Sequence, residues 1–127
     1  MKNAFFILSI SAGVLTTSHA LANELSKEYI SCTKKTYGDT EVIQKCIDTE
    51  LKQQKKYLKK NYKAFLRNAG EFKESYKTQH LLWQNRAMKV CGTNAATVHL
   101  QIKQSQCILG MTAERATYYQ IKVARQQ

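Results

Sequence analysis

Between residues 41 and 69 the apolar side chains recur with a helical period. Ile43, Ile47, Leu51, Leu58, Tyr62, Phe65 and Ala69 fall, at 100° per residue, in a stripe no more than about 100° wide. Lys45, Lys52, Lys56, Lys59, Lys60, Lys63 and Arg67 gather on the opposite face. This pattern predicts one long amphipathic helix over 41–69. Gly38-Asp39-Thr40 is the turn before it, and Asp39 or Thr40 its cap. Gly70 ends the helix or marks a bend. Upstream, Asn23 caps a helix over 24–37. Downstream, a third helix covers 71–90 and beyond, with Phe72, Tyr76, Leu82, Trp83, Ala87 and Val90 available for the core. Gly92-Thr93-Asn94 is a candidate break. A last helix covers 98–124, where Gly110 can introduce a bend and Thr112 a restart, with Arg115 one turn later. The chain has no proline and only five glycines, which favours helices over strands and turns. The expected fold is all-α, a small disulfide-stabilised bundle of three to four helices.

Residues 4–15 follow a different pattern, an apolar run almost without polar interruption. Lys2 supplies a short positive start, and Ala20-Leu21-Ala22 is a small-residue end of the A-x-A type. Together they predict a secretory signal peptide over 1–22, cut before Asn23. The run is shorter than the ~20 residues of a membrane-spanning helix; the alternative is a retained N-terminal anchor. Cleavage leaves a single domain over 23–127, just large enough for a modest core. It contains no further run of membrane-spanning length, and the expected location is periplasmic or secreted. Of the 20 lysines and arginines only Lys2 is lost, so 19 remain against nine acids, a net charge of +10.

An exported chain with Cys32, Cys46, Cys91 and Cys107 is expected to form two disulfides, for which three connectivities exist. Cys32 lies about as far before the Gly38-Asp39 turn as Cys46 lies after it. An antiparallel helical hairpin would bring the two to one level, near the ~5.5 Å Cα separation a disulfide needs. The remaining pair, Cys91 and Cys107, has its midpoint at His99. A turn at 92–94 would leave these two at different levels, because a helix rises about 1.5 Å per residue. The bridge fits better if the third helix continues past Cys91 and turns near 97–99. No CxxC and no closely spaced Cys/His pair points to zinc or to a redox dithiol.

No catalytic constellation stands out, and no enzyme activity, cofactor or metal is expected. His80 and His99 are isolated, and neither has a metal-ligand spacing such as HExxH. Glu71 and Glu74 share a helical turn, and Asp48 and Glu50 lie close together. Carboxylates near a run of lysines usually form weak surface pairs. Tyr62 and Trp83 are binding anchors or, as aromatic residues at helical spacing, core. The basic face is either a solvated surface or an attraction for something anionic, with Lys52, Lys56, Lys59, Lys60 and Lys63 the partner-binding candidates. The anion could be an acidic protein, lipopolysaccharide or a wall polymer; export argues against nucleic acid as the main partner.

Several motifs occur in order. Cys32 and Cys46 sit on a helical hairpin. Leu58-Lys59-Lys60-Asn61-Tyr62 matches the Leu and Tyr of an LNxxY segment. Trp83 precedes Cys91 by eight residues, with Arg86 nearby. Cys107, Thr112 and Arg115 form C-x4-T-x2-R. This order and spacing resembles the lysozyme inhibitor LprI-like family of small exported bacterial proteins, over nearly the whole mature chain. Lys59 stands where the family usually has asparagine, the glutamine expected just before Trp83 is displaced to Gln79, and Arg86 falls about one residue early. The glycine-rich turn between the last two cysteines is missing. The resemblance implies a helical, disulfide-stabilised envelope protein and, for some members, inhibition of lysozyme. Animal c-type lysozymes are basic and would repel this chain at long range. The expected target is therefore an acidic wall-degrading hydrolase, or one with an acidic patch at its cleft. The alternatives are an immunity protein against a periplasmic toxin, and a module that binds anionic glycolipid or wall polymer through its basic face.

Overall fold

The computed structural model describes residues 25–92 and 94–127. The signal peptide expected over 1–22 and the Asn23 cap lie outside these residues. The described residues form four α-helices, α1 (Lys27–Lys34), α2 (Thr40–Arg67), α3 (Lys73–Cys91) and α4 (Val98–Arg125), with a 3-10 turn over Gly70–Phe72. No strand occurs among the described residues. The expected all-α, disulfide-stabilised bundle is what forms.

Local chemistry sets the helix ends. The Ser26 hydroxyl accepts the Tyr29 N–H at 3.0 Å and opens α1. The helix is shorter than the expected 24–37, because Leu25 and Ser26 are not helical and the last turn closes on Cys32 and Thr33. Tyr37 and Gly38 then take positive φ, 49° and 85°. Two successive left-handed residues cannot continue a right-handed helix. The Asp39 carboxylate accepts the N–H groups of Glu41 and Val42 at 2.9 and 3.1 Å and caps α2. Helix α2 ends at Arg67, short of the expected 69, with Asn68 as its C-cap, and Gly70, at φ 53°, opens the 3-10 turn that leads into α3.

The core lies between α2 and α4, which run parallel. Gln44 reaches Ser105 near their starts, and Asn61 donates to the Ala116 carbonyl near their ends. Ile47, Ile102 and Leu109 are buried between them, flanked by Leu25, Tyr29, Ile43 and Leu51. Farther along, Phe65, Ala69, Ala113, Ala116 and Tyr119 continue the buried seam. The short α1 runs antiparallel to α2 and is tied to it by Cys32–Cys46, with a Cα separation of 5.8 Å. Helix α4 is continuous through Gly110. Thr112 is buried and donates to the Ile108 carbonyl at 2.7 Å, so it neither caps nor restarts a helix.

Helix α3 runs back along α2 and α4 and contains no fully buried residue. Phe72, Leu82 and Val90, expected in the core, are 57, 61 and 62 % exposed. Tyr76, His80, Trp83, Ala87 and Cys91 are the partly buried stripe. They are spaced so that one narrow helix face rests on a pair of helices already packed together. The second disulfide is Cys91–Cys107, with a Cα separation of 5.5 Å. The turn does not lie at 97–99 with α3 running past Cys91. Helix α3 stops at Cys91, where Gly92 takes φ 77°, and the Thr97 hydroxyl caps α4 through the Leu100 N–H. Cys107 lies nine residues, or about 14 Å, into α4. The six residues between Cys91 and Val98 can cover about 20 Å when extended. The connection therefore spans the offset that a tight turn could not. The Gln104 side chain donates to the Gly92 carbonyl and fastens this connection to α4.

Candidate binding cleft

Helices α2 and α3 diverge above α4 and leave an open cleft of about 640 Å³. One wall is Lys55, Leu58, Lys59 and Tyr62 of α2. The other runs from His80 to Met88 on α3 and includes Leu81, Trp83 and Ala87. Ile108 and Thr112 of α4 form the floor. Positions 55, 58, 59 and 62 share a wall because they are three and four residues apart on one helix. Among the described residues no carboxylate lines the cleft. Four residues of the expected motif set, Leu58, Tyr62, Trp83 and Thr112, meet here although they come from three helices.

An aromatic cluster closes one end. The Tyr62 and His80 rings stack at 4.1 Å between centroids and 16° between planes. His80 also stacks on Trp83 at 5.4 Å. Tyr119, fully buried, touches Tyr62 and Phe65, and Phe65 packs on Tyr76 at 4.7 Å. The Arg115 guanidinium lies over Tyr118, Tyr119 and Trp83 at 4.7, 4.8 and 5.5 Å. Each desolvated contact of this kind contributes about 0.5–2 kcal/mol. Arg115 Nη2 donates to the Tyr119 hydroxyl at 3.0 Å, while its Nε is buried without a partner among the described residues. Guanidinium is a donor only, so the Tyr119 oxygen accepts from it. The Tyr119 proton is then free to point at His80 Nδ1, 3.0 Å away. That arrangement needs an unprotonated Nδ1. Burial first, and then the Arg115 charge, hold the His80 pKa below its ordinary value of 6.5. Burial likewise raises the Tyr119 phenol, against the opposing pull of Arg115. His80 is thus a structural member of the cluster rather than an isolated residue, and Tyr62 and Trp83 are both half-buried packing groups and cleft walls.

The lysine face is as the periodicity placed it. Lys52, Lys56, Lys59, Lys60 and Lys63 are all exposed on α2. Lys59 also borders the cleft, joined by Lys55, a lysine outside the candidate set. The one ion pair among the described residues is Lys77–Glu74, at 2.7 Å on α3, so none of the described carboxylates stands within ion-pair distance of this row. Arg86 stands exposed on α3 and is not part of the cleft lining.

Glu50 departs from expectation. It is not a surface carboxylate beside lysines but is 4 % exposed, beneath α1. Its oxygens accept the Ser26 N–H at 3.0 Å, the Ser26 hydroxyl at 2.5 Å and the Gln54 amide at 2.8 Å. Burial pushes its pKa up, but the bonds from Ser26 and Gln54 outweigh that and leave it below the ordinary 4.5. The signal was in the pattern: 43, 47, 50 and 54 are one helical stripe, so Glu50 and Gln54 fall among the core positions. Among the described residues no group of three His, Cys, Asp or Glu side chains is placed to hold a metal ion, and no helix is long and apolar enough to cross a membrane. No family model, no curated protein and no solved structure matches this chain.

Proposed function

We propose that this protein is an exported, non-catalytic binding protein that occludes a cell-wall-degrading hydrolase, as its resemblance to LprI-like proteins implies. The observation that carries the reading is the row of exposed lysines on α2, without an ion-pair partner among the described residues, beside an open apolar cleft. Lys52 to Lys63 span eleven residues, about 16 Å along the helix. A row of that length suits the extended, acid-lined groove of an enzyme that grips a polymer. The charge steers the encounter, and the cleft supplies desolvated contact area once the surfaces meet. Inhibition is steric and needs no bond-making group. Export is supported by the apolar run at 4–15 and by two cysteine pairs at disulfide distance. Leu58, Tyr62, Trp83 and Thr112, four of the residues on which the resemblance is drawn, meet at this cleft, and the Arg115 guanidinium lies over the Trp83 ring.

The test is a panel of acidic and basic wall hydrolases assayed with a stoichiometric excess of oxidised protein. Slowed hydrolysis by acidic members, relieved by salt, is expected. Reversing charge at Lys52, Lys56 and Lys60 together should weaken inhibition by at least about tenfold, or 1.4 kcal/mol. Full activity of every enzyme in the panel sinks the proposal.

A further inference from the structure

We infer that the cleft between α2 and α3 is a seat for an acidic amphipathic helix of the partner protein. The inference rests on the reading of the chain as a binding protein and names what the cleft itself takes. Both walls are helices, so their backbone N–H and C=O groups are already paired within the helix. An extended peptide would find no edge to pair with. Two helical walls over a helical floor instead offer the groove that a further helix occupies in a bundle. The α2 wall runs from Lys55 to Tyr62 and the α3 wall from Leu81 to Met88, each about 10 Å long. That is two helical turns, enough for apolar anchors at i, i+3 or i+4, and i+7. Leu81 and Met88 are 56 and 53 % exposed and available to meet them.

Charge fixes the flank. Lys55 and Lys59 stand one turn apart on the α2 rim, and among the described residues no carboxylate faces them across the cleft. Two carboxylates one turn apart on the incoming helix would meet both lysines. A second copy of this chain is disfavoured, since a net charge of +11 makes the two molecules repel. A lipid surface is flat and cannot follow the concavity down to Ile108 and Thr112.

The experiment is a selection from a display library of helical peptides of about 14 residues, or four turns, on the full, disulfide-intact chain. Trp83 is the only tryptophan and lines the cleft, so its emission reports occupancy. Enriched peptides should carry apolar residues at i, i+3 or i+4, and i+7, with acids along one flank, and should shift Trp83 emission. Leu81→Lys with Met88→Lys alters only exposed side chains and should weaken them at least about tenfold without changing thermal unfolding. Lys55→Glu with Lys59→Glu should turn the enriched flank from acidic to basic. The inference is overturned if no such pattern is enriched, if the selected peptides ignore the Leu81/Met88 variant, or if Trp83 responds to anionic phosphatidylglycerol vesicles and to no peptide. Hydrolase inhibition that survives in the Leu81/Met88 variant would remove this inference and leave the proposed function standing. Peptide binding without inhibition of any hydrolase would do the reverse.

Discussion

Two titratable residues connect packing to pH. Glu50 anchors the start of α1 through Ser26, and its charged form is the one the fold favours. Its contribution is complete above the ordinary carboxylate value of 4.5 and is lost as pH falls through the lower folded value. Glu50→Gln should cost about 1–3 kcal/mol at pH 7, measured by urea unfolding, and the difference from the parent protein should shrink as the buffer is taken below pH 4.5. His80 acts on the same side of neutrality for the opposite reason. Its folded pKa is depressed, so the unfolded chain takes up the proton first. Stability therefore falls as pH drops below 6.5 and levels off beneath the folded value. Trp83, stacked on His80, should change emission across that window. The change should vanish in His80→Gln, where nothing titrates. A Trp83 signal that keeps its pH dependence in that variant would exclude His80 as the source.

The four helices are held in unequal ways. The α2–α4 pair is stabilised by buried apolar surface, whereas α1 and α3 contain no fully buried residue. Each of these outer helices is fastened by one disulfide and by polar or aromatic contacts: Cys32–Cys46 with Ser26–Glu50 for α1, and Cys91–Cys107 with the aromatic contacts of Tyr76, His80 and Trp83 for α3. A cross-link of this loop length contributes about 2–4 kcal/mol. Replacing Cys91 and Cys107 with serine should therefore release α3 while leaving the α2–α4 pair intact. Hydrogen exchange should show fast amides over 73–91 and continued protection over 102–119. If protection is lost everywhere at once, α3 is part of the core and not an outer layer. Leu81, Leu82, Met88 and Val90 remain exposed for the same reason: α3 meets the other described helices along a single stripe, and no described residue covers the remainder of its apolar side chains.

For the molecule as a whole, charge and shape divide the work. A formal charge of +11 favours encounters with acidic surfaces and suppresses self-association. If the proposed binding holds, association with an acidic partner should slow as ionic strength rises past the point where the screening length is about 8 Å, while the dissociation rate, which desolvated contacts in the cleft would set, should change little. Stopped-flow measurements at two salt concentrations separate the two. Much of this architecture was readable from residue order alone. Strong period and strong capping chemistry mark α2, its lysine face, the Asp39 cap and the Cys32–Cys46 hairpin, because those features depend on neighbours within one or two turns. Other features depended on distant contacts. Whether Phe72, Leu82 and Val90 are core or surface, and whether His80 is isolated or enclosed, turn on which helix lies opposite; for Glu50 the helical stripe marks the buried side, and the fold decides only that Ser26 is the partner it meets there. The cleft itself has no sequence signal, since its walls are 58 and 83, its floor is 112, and each reads locally as an ordinary helix position. Periodicity reports which way a side chain points on its own helix; burial and pairing come from the helix that meets it, and that is a property of the assembled chain.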